Sequence, residues 1–112
     1  MEVETALLGQ LRRGVVEYCV MALLAEEERY GYDLVTALSD AGLVASTGSI
    51  YPLLSRLRRN ELVETTWRES PDGPPRRYYR LTEQGRVTLE RFRTAWRDFS
   101  TSVDSILEGG RS

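Results

Sequence analysis

At 112 residues the chain fits a single domain whose core is modest enough to gain from a second copy. Histidine is absent and Cys19 is the lone cysteine, which excludes a His/Cys zinc site, a histidine-based catalytic triad and a disulfide within the chain. The net charge of −2 is unevenly spread: residues 1–45 balance at −5, residues 46–80 at +3 and residues 81–112 at zero, so only the middle third suits a polyanion.

From Leu11 to Ala25, Val15, Val16, Cys19, Val20, Leu23 and Leu24 recur at helical spacing and predict a first helix with a broad apolar face. Cys19 within that run reads as a small buried hydrophobe, with redox sensing as the sharper alternative. The longest apolar run is too short to span a bilayer, and Met1-Glu2-Val3-Glu4 is acidic where a signal peptide is basic. A cytoplasmic protein without a membrane partner is expected. Glu26-Glu27-Glu28-Arg29 interrupts the pattern, and Tyr30-Gly31-Tyr32-Asp33 opens a second helix that stops at Gly42.

A third helix is expected from an N-cap at Ser46. Ile50, Leu53, Leu54 and Leu57 form its buried stripe. Its opposite side gathers Gly48, Pro52, Ser55 and Arg59, flanked by Ser49, Tyr51 and Arg56. Small residues permit close approach, and hydroxyls, a phenol and guanidiniums supply donors for phosphates and base edges. That combination predicts a DNA recognition helix, the second half of a helix-turn-helix. Pro52 removes one ladder bond and is expected to bend the helix or restrict its first turn.

Beyond Asn60, residues 62–68 and 76–81 are rich in β-branched and aromatic side chains, separated by the turn-forming Glu69-Ser70-Pro71-Asp72-Gly73-Pro74-Pro75. A hairpin in this position is a wing, and its Arg68, Arg76, Arg77 and Arg80 suit phosphate contacts. All fifteen basic residues are arginine, which fits either genome composition or selection for a planar, bidentate fork. Thr82 is positioned to cap a last long helix, on which Leu89, Phe92, Trp96, Phe99, Val103 and Ile106 form a heptad seam that must meet its own domain, a second chain or both. The tail, Gly109 to Ser112, is expected to be loose. The fold class is therefore mainly α with some β: a winged helix-turn-helix over residues 1–81 with a two-stranded wing, and a dimerisation helix over 82–108 in the same compact unit. No paired acid/base motif, phosphate loop or nucleophile elbow appears, so neither an enzyme nor a cofactor or metal site is expected.

The chain resembles the short form of the PadR family of bacterial transcriptional regulators. The resemblance rests on Leu11-Arg12-Arg13-Gly14, Tyr30-Gly31-Tyr32-Asp33-Leu34, the run from Gly48 to Leu57, Leu62-Val63 and the run from Arg77 to Gly85. It implies a homodimeric repressor whose third helix enters the major groove of a pseudo-palindromic DNA operator while the wing touches the flanking backbone. Ser46, Thr47, Ser49 and Tyr51 match positions near the family's groove contacts, Arg56 lies on the same side, and Arg76 and Arg77 match its wing. The plainer reading packs Tyr51 between helices and leaves the wing arginines solvated. Some short members are similar in binding planar aromatic drugs between paired tryptophans. Trp96 stands where that tryptophan would be, whereas Arg93 and Ser100 replace an expected aromatic and acid. A small-molecule slot formed by Val15, Phe92, Trp96 and Phe99 and an ordinary packed seam both remain open, as does a protein-interaction module that has lost DNA binding.

Overall fold

The computed structural model describes residues 7, 9–12, 14–43 and 47–109. Ser46, the expected N-cap, and the tail beyond Gly109 lie outside them. Residues 9–12 are helical, but the first helix does not run through from Leu11: Gly14 adopts a left-handed φ of +81°, and α1 spans Val16–Glu26. A residue with a Cβ resists that conformation, so the glycine marks where the chain breaks direction. At the other end of α1, Arg29 donates from Nε to the carbonyl of Leu23 at 3.2 Å and pairs with Glu26 at 2.9 Å. It supplies the positive end-charge that the last turn of α1 itself lacks.

Arg29–Tyr30 form a short strand, β1, which no residue pattern had announced, and α2 follows over Gly31–Asp40. Gly42 at φ +73° closes α2, with the Leu43 N–H donating to the Leu38 carbonyl at 2.9 Å, the Schellman arrangement. A 3-10 turn, Thr47–Ser49, leads into α3, Ile50–Arg59. Pro52 is thus the third residue of α3, inside the first turn where a missing N–H removes little, which explains how a proline sits in this helix. Glu61, at φ +62°, occupies the left-handed position after α3, where the Leu62 N–H donates to the Leu57 carbonyl at 3.0 Å.

The hairpin strands are longer than expected: β2 is Val63–Ser70 and β3 is Gly73–Leu81, joined through Pro71 and Asp72. The antiparallel register runs from Val63↔Leu81 to Arg68↔Arg76 and then slips before Ser70↔Gly73, so Pro74 and Pro75 fall in a bulge opposite Glu69. Bulges tolerate residues that cannot donate to the ladder. Because β1 pairs with β3 (Arg29↔Tyr79, Tyr30↔Tyr78), the wing is the outer part of a three-stranded sheet in the order β1-β3-β2, not a free two-stranded ribbon.

The last helix, α4, spans Glu83–Leu107, 25 residues and about 38 Å long. Thr82 caps it: Oγ1 accepts from the Gly85 N–H at 2.9 Å and turns its own proton toward the carbonyls of Glu61 and Leu62 at 2.8 and 3.1 Å. The cap therefore ties α4 to the segment leaving α3. One core joins all the larger elements: Val20, Met21 and Leu24 from α1, Leu34, Val35 and Leu38 from α2, Ile50, Leu54 and Leu57 from α3, Val63, Tyr79 and Leu81 from the sheet, and Leu89 from α4. Leu53, expected in the buried stripe, is half-buried at its margin.

Candidate nucleic-acid interface

The core pins α3 by Ile50, Leu54 and Leu57 and leaves Tyr51, Pro52, Ser55, Arg56, Arg58 and Arg59 exposed. Three arginines in its last turn also favour the negative end of the helix. Gly48 and Ser49 are exposed in the preceding 3-10 turn, which Thr47 begins. Tyr51 combines both readings of its sequence position. It is 48% exposed, yet its ring edge and that of Tyr79 close over Gly31, where a Cβ would sit 3.5 and 3.4 Å from them. The phenol is held against the start of α2 while much of the ring stays open.

Arg56 is not an independent donor. Its guanidinium pairs with Glu17 of α1 at 2.7 Å. That pair joins residues 39 apart in sequence, so no local pattern announces it. The first turn of α1 thereby holds the exposed side of α3 through Glu17, and through Tyr18 it holds α4: the Tyr18 and Phe92 rings stack in parallel at 4.0 Å.

Alternation separates the two wing arginines. Tyr79 and Leu81 face the core, so Arg77 lies on that same side of β3 farther out, with its guanidinium 4.8 Å from the ring of Trp67 directly opposite on β2. This is the sheet face that carries Tyr79, and Tyr79 meets Gly31 beside Tyr51. Tyr51, Arg77 and Trp67 thus share one side, and Trp67, 62% exposed, is the residue that sequence reasoning left out. Its signal was available: it pairs across the turn with an arginine. Arg76 points the other way, over Tyr30 at 4.8 Å. Arg68 and Arg80, expected as phosphate contacts, pair with Glu28 and Glu64.

On α4, Leu89 is 3% exposed and spent on its own core, although the seam places it at a partner interface. Toward the C-terminus the seam emerges: Phe92 is half-buried, Trp96 is 45%, Phe99 63% and Ile106 75% exposed, and Val103 is half-buried. Trp96, Phe99 and Val103 line a cleft of about 380 Å³ with Leu11 and Val15, while Phe92 stacks behind Trp96 at 6.0 Å. The expected slot residues are therefore assembled, three in the wall and Phe92 as backing. Cys19 is half-buried and burial pushes its thiol pKa up, against a reactive thiolate. Among the described residues no group of His, Cys, Asp or Glu is arranged to hold a metal, and no helix is long and apolar enough to cross a membrane.

A core-anchored helix following a turn, with a β-hairpin beside it, defines a winged helix-turn-helix protein. Residues 20–91 match the transcriptional regulator PadR-like family. The chain is 33% identical to the transcriptional regulator Rv3488 of Mycobacterium tuberculosis, over 86% of this chain and 89% of that protein. Among solved structures it is similar to a PadR-like transcriptional regulator from Bacillus cereus (42% identity, TM-score 0.81, 89% of this chain and 98% of that one). A PadR family transcriptional regulator from Eggerthella lenta gives 32% identity and a TM-score of 0.80, over 96% and 95% of the two chains. The chain belongs to the PadR-like family of transcriptional regulators.

Proposed function

We propose that this transcription regulator is a sequence-specific DNA-binding repressor acting as a two-fold dimer. The observation that carries the reading is the shared side formed by α3 and the wing: Tyr51, Ser55 and Arg59 exposed on a helix pinned to the core by Ile50, Leu54 and Leu57, beside Arg77 with its guanidinium over the Trp67 ring. In this reading residues 1–81 bind DNA and residues 82–108 dimerise. Ser46, Thr47, Ser49, Tyr51, Ser55, Arg56 and Arg59 serve the major groove, and Arg76 and Arg77 the backbone. Two copies would set their recognition helices about 34 Å apart, one turn of DNA, on a pseudo-palindrome. A planar aromatic effector in the cleft at Val15, Trp96 and Phe99 would derepress by binding better to a copy-to-copy spacing that DNA does not fit.

The test is a mobility-shift titration on the DNA upstream of the regulator's own and adjacent genes, followed by footprinting. A protected pseudo-palindrome supports the reading; no shift on any such fragment at low salt transfers the fold to the competing reading, a protein-interaction module. The internal pairing of Arg56, Arg68 and Arg80 with carboxylates is the observation that favours that competitor.

Two substitutions probe individual contacts. Arg77→Ala weakens binding to all sequences alike and flattens the slope of log affinity against log salt by up to about one unit, the signature of one lost phosphate. An unchanged slope removes Arg77 from the interface. Glu17→Gln frees Arg56 and raises affinity at low salt by about 2- to 5-fold, the scale of one partly exposed ion pair. Unaltered affinity in that variant would mean that Arg56 serves only to tie α3 to α1.

A further inference from the structure

Pairing with β3 occupies only one edge of β2. The Thr82 N–H donates to the Leu62 carbonyl at 3.0 Å, and these two residues continue the register that sets Val63 opposite Leu81. In an antiparallel ladder every second pair exchanges such bonds, so Glu64, Thr66 and Arg68 turn their N–H and C=O groups toward β3, whereas Thr65 and Trp67 turn theirs away from it. Among the described residues no strand lies on that far side, because the sheet order is β1-β3-β2. Glu64, Thr66, Trp67 and Arg68 are all exposed. Beside the base of the strand, a cleft of about 540 Å³ lined by Arg58, Val63, Thr65 and Glu83 leaves room for another strand to lie alongside.

An unpaired edge is a template for a further strand, and β2 is complementary to itself. A two-fold antiparallel pairing must set outward-turned residues against one another, which places its centre on a residue rather than between two. Centred on Glu64 or Arg68, it opposes like charges; centred on Thr65 or Trp67, it sets both charges against uncharged residues. Centred on Thr66, it sets Glu64 against Arg68 of the second copy, and Arg68 against that copy's Glu64, in the non-hydrogen-bonded positions where side chains approach closest. Thr65 and Trp67 then exchange the backbone bonds. We propose that β2 pairs with β2 of a second copy in this register, joining two three-stranded sheets into one continuous sheet. Glu64 already meets Arg80, and Arg68 meets Glu28, but a carboxylate and a guanidinium each have the capacity to serve a second partner. The contact is separate from the α4 seam and needs no DNA. Together with a dimer formed through α4, it would link dimers in series.

Sedimentation velocity of the full chain at low salt, up to a few hundred micromolar, is expected to show an association step that Phe99→Glu does not abolish. Glu64→Arg and Arg68→Glu, each at an exposed position and checked for folding by circular dichroism, turn two attractions into repulsions, and each is expected to weaken that step by about tenfold. Mixed in equal amounts the two variants regain it, because every pair between unlike copies is again opposite in charge; a loss caused by misfolding would not recover. The register has its own readout. Cys19→Ser/Thr66→Cys is expected to form a disulfide-linked pair under mild oxidation, since directly opposed non-hydrogen-bonded Cα atoms lie about 4.5 Å apart, within reach of the bond, whereas Cys19→Ser/Glu64→Cys is not. The proposal is overturned by single variants that associate like wild type, by a mixture no tighter than its components, or by equal cross-linking at the two positions. A wild type whose only association disappears in Phe99→Glu overturns it as well, and leaves the operator reading untouched.

Discussion

Gly85→Ala lowers the melting temperature by about 10–20 °C, because among the described glycines it is the one whose added methyl group meets the tightest backbone contact. A Cβ at Gly85 would overlap the carbonyl oxygen of Leu62 and come within 2.6 Å of Leu81 Cδ1. The first obstacle is backbone held by the Thr82 hydroxyl and by the Thr82 N–H, which donates to the same carbonyl at 3.0 Å. Neither can give way without loosening the cap of α4 from the end of α3. Overpacking of this kind costs about 2–3 kcal/mol, more than the fraction of a kcal/mol that alanine regains over glycine in a helix. Thermal unfolding followed by circular dichroism at fixed protein concentration checks it, with Gly73→Ala, whose Cβ meets nothing within 4 Å, as the reference change. A Gly85→Ala protein that melts with the reference would show that the junction of wing, α3 and α4 is not close-packed.

The second large effect is on assembly. Phe99→Glu leaves each chain folded, because Phe99 is 63% exposed and contributes nothing to the buried cluster. If the seam is a two-fold interface, the same substitution enters it twice, each copy placing an unpaired carboxylate among Trp96, Val103 and Ile106. At about 3 kcal/mol for each uncompensated buried charge, the dimer dissociation constant rises by roughly 10⁴. Sedimentation velocity across a micromolar dilution series reads this directly, and on the proposed DNA-binding reading operator affinity falls with it, because each dissociated copy would present only one α3. A variant that sediments like wild type would move the interface off this face of α4.

Much of this architecture is legible without coordinates wherever one side chain pattern decides one element. The spacing of Ile50, Leu54 and Leu57 specifies α3 and its exposed side, and Thr82 three residues before Gly85 specifies the start of α4. The break at Gly14 is not legible, since a glycine inside a helical pattern is tolerated in many chains and only its φ of +81° tells the two cases apart. β1 is two residues long, too short for any alternation, and exists because β3 offers Tyr78 and Tyr79 an edge to pair with. The opposed directions of Arg76 and Arg77 follow from strand geometry once the Pro74–Pro75 bulge sets the register, which composition had assigned to the turn. The Glu17–Arg56 pair depends wholly on how α1 meets α3.

On the proposed DNA-binding reading, the three carboxylates that engage Arg56, Arg68 and Arg80 have a consequence for target search. A chromosome presents a vast excess of random sequence, and a freely cationic surface would spend most of its time on it. If the chain binds DNA as proposed, each guanidinium would exchange an acid partner for a phosphate, so loose encounters would gain little, and only a site that also satisfies the Ser55 hydroxyl and the Tyr51 phenol of α3 would offset the exchange. The acidic segments of the chain would then act as a filter on genomic decoys.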